Sequence, residues 1–228
     1  MQSRIYLYER FFTEKETELF SVGTLSASIF KYSTGVEALR IKNANGYGIF
    51  LPFLGQMIWR AEFLGRALTM KSVFEEPIKP LYNYTETYGP FLMHCGLLAM
   101  GNPTSEDTHL PHGEIPIAKY NSAYIVYGED EKGKYIGLSG FYKNKACYEL
   151  DYEFSPTVKL YENATYFDVT VDIKNNKDVP LEYYYLCHIN HLPVDGAKLE
   201  YTADRSKIKV NHEVPENYFD EEIGRAHV

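Results

Sequence analysis

The stretch Asp107-Thr-His109-Leu-Pro-His112-Gly-Glu114 places four proton-carrying or metal-ligating side chains within eight residues. Two imidazoles and a carboxylate can form an open metal site. Against that, Pro111 keeps His109 and His112 from sharing a helix face. Proton transfer or hydroxyl recognition needs only one or two of these groups aimed into a cavity. A third reading is that Asp and His simply satisfy the backbone of a buried loop. A second group, Cys187-His188-Ile189-Asn190-His191, closes a segment with strand alternation. Period 2 puts His188 and Asn190 on the face of Tyr184 and Leu186, with His191 on the face of Cys187. A histidine and an asparagine on one strand face suit hydrogen bonding to hydroxyls. An ordinary imidazole pKa of about 6.5 also serves proton transfer in both directions near neutrality. A third group, Gly55-Gln56-Met57-Ile58-Trp59-Arg60, holds the only tryptophan. Trp59 beside Gln56 could stack on a sugar ring, or it could be a large core side chain.

The elements that must position these groups read as β structure. Tyr (21) and Phe (13) raise the aromatic share to 15%, and both prefer pleated, half-buried surfaces. Tyr148, Leu150, Tyr152 and Phe154 alternate with Glu149, Asp151 and Glu153. Phe167, Val169, Val171 and Ile173 alternate with polar residues in the same way. A further strand is expected from Pro180 through Leu181 to Asn190, with shorter ones at Leu25–Tyr32, Val36–Ile41, Gly48–Leu54, Gln56–Phe63 and Arg66–Met70. Thr13 and Glu16 have capping-box spacing for one short helix before Leu19. From Ser72 to Tyr120 the pattern is irregular and holds six of the eleven prolines, together with His94, His109 and His112. A long loop in a compact β domain is usually functional or disordered. The Leu, Met, Phe and Tyr content of this one predicts order against a sheet. The expected fold is all-β, with large antiparallel sheets and more than about 40% strand.

A chain of 228 residues suits one domain. A net charge of −8 and the lack of any Lys/Arg run argue against nucleic acid or an anionic membrane as partner. Cys95, Cys147 and Cys187 form no CxxC pair, and their odd number fits reduced thiols in a cytosol. With no apolar stretch near 18 residues, the expectation is a soluble cytoplasmic protein. Neither a phosphate-cradling glycine loop nor a nucleophile elbow is present, so no cofactor is expected. The final Ile223–Val228 (IGRAHV) follows the acidic Glu216–Glu222 stretch without turn or cap logic. It reads as a non-native tail, leaving residues 1–222 as a single domain that is incomplete at its C-terminus.

Three runs carry a resemblance: LPFLGQMIWRAEFLGRALTMKS, YGPFLMHCGLLAMGNPTSEDTHLPHGEIP and YYYLCHINHLPVDG. Together they resemble the aldose 1-epimerase (galactose mutarotase-like) superfamily, and within it a branch labelled only as a domain of unknown function. The similarity extends from about Leu25 to Tyr201. It implies a β-supersandwich with a sugar cleft on a concave face, and a small aldose as partner without metal. It also implies acid–base ring opening, in which a glutamate deprotonates the anomeric hydroxyl while a histidine protonates the ring oxygen. By position His112 resembles the first family histidine and His188 the second, the general acid. The substrate arginine that often precedes the His-Gly pair is missing, and His94 stands in that region as its substitute. The remaining substrate contacts expected are Glu114, Asn190, Trp59, Gln56, His109 and Asp107. The family's glutamate base has no counterpart after Asp204. The alternative reading is a sugar-binding or sugar-sensing module that does not turn its ligand over.

Overall fold

The computed structural model describes residues 2–198 and 200–207 and forms thirteen strands there, several of them marked by apolar–polar alternation of this kind. They are β1 (Ser3–Leu7), β2 (Thr17–Val22), β3 (Leu25–Lys31), β4 (Glu37–Lys42), β5 (Gly46–Phe50), β6 (Ile58–Phe63) and β7 (Arg66–Ala67). The series continues with β8 (Leu92–Leu97), β9 (Ser122–Asp130), β10 (Gly133–Ala146), β11 (Leu150–Tyr161), β12 (Phe167–Asn175) and β13 (Tyr184–Ile189). Strand makes up 48% of the described residues. Among the described residues, helix is limited to short 3₁₀ turns, so none is long and apolar enough to cross a membrane.

Within the compact unit Met1–Pro193, the strands form two antiparallel sheets. One runs β1-β9-β10-β11-β12. The other runs β13-β8-β6-β5-β4-β3-β2, with β7 paired to β6. The main core lies between them, where Leu25, Leu39, Ile41, Phe50 and Ile58 of one sheet meet Ile125, Ile136, Leu138 and Leu160 of the other. A second cluster (Val36, Ile49, Met57, Trp59, Tyr84, Met93 and Cys95) lies elsewhere in the fold. Its Tyr84 belongs to the 72–120 segment, while its strand residues alternate with those of the main core. It therefore covers the outer face of the second sheet. That segment packs against the sheet at Phe74, Tyr84, Tyr88, Met100 and Ile117, while most of residues 101–110 are exposed. It also contributes β8, which sequence alternation did not reveal because all six of its residues are buried.

Several expected elements differ. The Thr13/Glu16 spacing does not start a helix; Glu16 instead pairs with Arg40 (3.3 Å), and Thr17–Val22 adds β2 to the edge of β3. A ladder partner outweighs a cap of modest worth. Tyr148 does not share the buried face of Tyr152 and Phe154. It sits 96% exposed in a turn at φ 67°. The strand expected from Pro180 begins only at Tyr184, and the one at Arg66 ends at Ala67.

Residues Val194–Val228 separate as a second unit. Its described part contains a 3₁₀ turn at Arg205–Lys207 in which Asp204 Oδ1 accepts from Ser206 N (3.0 Å). The expected tail Ile223–Val228 lies outside the described residues.

Candidate functional site

Pleating of β8 turns Leu92 toward the main core and Met93 and Cys95 to the outer face. β13 lies alongside, with His188 opposite Met93 and Cys187 opposite His94. Cys187 packs against the main core, so His188 is carried on the outer face. Asn190 follows on the same side, where its Oδ1 accepts from Tyr88 OH (3.0 Å) while its Nδ2 donates to Pro90 O (3.1 Å).

The 72–120 segment brings His112 to this face by backbone means. His112 N donates to Gly101 O and its own carbonyl accepts from Gly96 N, both at 2.8 Å. His112 adopts a left-handed φ of 55°, and Gly113 follows at 80°. A Cβ on Gly113 would lie 2.2 Å from Gly96 O, so only glycine lets the loop lie this close to β8. The His112 and His188 rings end 5.9 Å apart at 78°, although 76 positions separate them in the chain. Tyr84 lies 5.4 Å from His112, and Tyr88 lies 6.2 Å from His188.

Burial, followed by the neighbouring His188, holds His112 below the usual imidazole range, so it is neutral at pH 7. Burial raises the Tyr84 and Tyr88 phenols, with Cys95 adding to both. The Cys95 thiol is itself pushed up to about 12, mainly by burial. Nδ1 of His112 and Nδ1 of His188 are both buried without a hydrogen-bond partner. Half-buried imidazoles next to aromatic rings and an amide suit a polyhydroxylated ligand.

The other sequence candidates are placed elsewhere. His94 is fully buried between the sheets, its Nδ1 2.8 Å from Tyr185 OH and its ring 5.6 Å from Phe154. It lies on the opposite face of β8 from Met93 and does not replace a substrate arginine. Trp59 is fully buried beneath the Arg60 guanidinium, 4.4 Å from its ring centroid, so the core reading holds over the stacking platform. A bulge between Ile49 and Phe50 of β5 leaves Trp59 unpaired opposite them. Gln56 is 1% exposed, and its Nε2 donates to Pro52 O at 3.4 Å. Asp107 Oδ2 accepts from Thr104 N and Oγ1, both at 2.8 Å, and His109 Nδ1 sits 2.8 Å from Leu110 O. Both therefore serve the loop's own turns. Glu114 accepts from Leu97 N and Leu98 N (3.2 and 3.3 Å) and from Tyr152 OH. Among the described residues, no group of three or more His, Cys, Asp or Glu is arranged to hold a metal ion. Sequence reasoning missed Tyr84 and Tyr88. The available signal was Asn83-Tyr-Thr-Glu-Thr-Tyr88, an Asn whose Oδ1 caps Thr85 N (2.9 Å) ahead of two tyrosines four apart.

Comparison with protein-family profiles and with curated proteins gives no match. Among solved structures, one described as a putative aldose 1-epimerase from Klebsiella pneumoniae subsp. pneumoniae superposes with a TM-score of 0.70 at 16% identity, covering 83% of this chain. The two share a fold. The present chain spans 55% of the length of that structure. The aldose 1-epimerase-like β-sandwich is thus the architecture on which His112 and His188 meet.

Proposed function

We propose that this chain is an aldose 1-epimerase-like carbohydrate-binding protein whose outer sheet face takes a small aldose between His112 and His188. The observation that carries the reading is the 5.9 Å approach of two half-buried imidazoles, beside Tyr84, Tyr88 and Asn190. Both imidazoles can then reach one pyranose, and phenol and amide groups supply the remaining hydroxyl contacts. In ring opening, His188 gives a proton to the ring oxygen as the bond from that oxygen to the anomeric carbon breaks. A base takes the proton of the anomeric hydroxyl. The aldehyde rotates, and both protons return on its other face, so nothing is consumed. Each well-placed acid or base contributes roughly 10²–10⁴ in rate.

A second reading, binding without turnover, is favoured by the state of the nearby carboxylates. Glu114 is held by Leu97, Leu98 and Tyr152, and Asp107 by Thr104. Saturation-transfer NMR with a panel of aldoses, together with polarimetry on fresh α-anomers, separates the two. The 228-residue chain is expected to bind an aldose, to lose that binding on His188→Ala, and to leave anomer exchange at the buffer rate. Fast exchange by this chain would show that Glu114 or Asp107 leaves its present partners to act as base. Failure to bind any aldose would overturn the proposal.

A further inference from the structure

His112, Gly113 and Glu114 meet Gly96, Leu97 and Leu98 almost residue for residue. His112 O accepts from Gly96 N, Gly113 rests against Gly96 O, and the Glu114 carboxylate accepts from Leu97 N and Leu98 N. The third donor to Glu114 comes from the other sheet. It is the phenol of Tyr152 on β11, fully buried and in turn accepting from Asn144 Nδ2 at 3.3 Å. One carboxylate therefore ties the end of β8, the His112 loop and the opposite sheet together. Burial, and then the hydrogen bond to Glu114, raise the Tyr152 phenol far above its ordinary range, so it stays a donor near neutral pH. Three donors on one acceptor in a half-buried setting form a stiff link, because releasing any of them leaves a polar group unpaired.

We propose that Glu114, seated on Tyr152, is the positioning residue that holds the His112 imidazole against His188. This rests on the reading of His112 as a sugar contact, but the geometry it asserts can be tested without sugar. The groups facing the His112 ring are His188 and Tyr84, with Tyr88 next to each of them. With the link intact, burial and His188 keep His112 below the usual imidazole range. With the link broken, the loop turn is free to lift and both influences weaken.

The experiment is histidine 1H–13C NMR on the full chain across a pH titration, for wild type, Glu114→Ala, Glu114→Gln and Tyr152→Phe. In Glu114→Ala and Tyr152→Phe the His112 resonance should shift and its midpoint should rise toward about 6.5. Glu114→Gln keeps an acceptor oxygen and should stay near wild type, a rescue that a purely electrostatic role would not give. In parallel, sugar affinity should fall about tenfold in Glu114→Ala, since small displacements of a contact group are costly. An unchanged His112 shift and midpoint in folded Tyr152→Phe overturns the proposal, and that variant decides the matter if Glu114→Ala does not fold. Wild-type protein that binds no sugar would sink the sugar reading alone, because the NMR result stands independently.

Discussion

Consider protonation of His94. Its ring is fully buried between the sheets, against Phe154, with Nδ1 on Tyr185 OH and Nε2 unpartnered. Burial alone lowers its pKa from 6.5 to about 4. Above pH 6.5 the ring is neutral in both folded and unfolded chains and adds no pH dependence. Between 6.5 and 4 the unfolded chain takes up a proton that the native state refuses, so stability falls as pH falls. At about 1.4 kcal/mol per pH unit, the loss is about 2 kcal/mol at pH 5 and about 3 kcal/mol near pH 4. His112, also held below the ordinary range, acts in the same direction. Urea denaturation followed by fluorescence of the single buried Trp59 measures this directly. His94→Phe removes the titration while keeping the ring volume. It should lower stability by about 1 kcal/mol at pH 7.5, where it leaves Tyr185 OH unpaired. Between pH 6.5 and 4.5 it should then lose about 2–3 kcal/mol less than wild type. Parallel pH profiles for the two proteins would refute the argument that burial governs His94.

Gly113→Ala should cost about 1–3 kcal/mol, because its φ is +80° and the added Cβ would lie 2.2 Å from Gly96 O. Chemical denaturation reads the cost, and His112 NMR should show the ring displaced. Trp59→Ala should destabilise by about 3–5 kcal/mol as a core deletion, read as a lowered thermal midpoint by circular dichroism. Were Trp59 an open stacking platform, stability would hardly change. Tyr88→Phe removes the hydroxyl that donates to Asn190 Oδ1 and should cost about 1 kcal/mol, measured by urea unfolding.

Much of the fold could be read from the residues. Strands with one wet face, such as β12 with Val169, Val171 and Ile173 alternating against Thr170, Asp172 and Lys174, announce themselves by period 2. β8 did not, because Leu92–Leu97 is buried on both faces. β2 was misread because its identity depends on pairing with β3, which no local pattern records. The site was less legible. Spacing alone grouped Asp107, His109, His112 and Glu114 as neighbours, yet backbone geometry turns Asp107 and Glu114 to structural tasks and leaves His112 to meet His188. That meeting came from family resemblance. Burial separates the remaining candidates, since His94, Gln56 and Trp59 are at most 1% exposed and cannot offer themselves to a ligand without the core opening.

The central claim, that His112 and His188 together contact one sugar, is tested most directly by titrating aldoses into the full chain while recording its histidine 1H–13C resonances. The account predicts that the His112 and His188 signals move together and saturate with a single dissociation constant, while His94 stays still and His188→Ala abolishes the response of His112. Saturable aldose binding that leaves both signals in place, or no aldose that moves either, would contradict it.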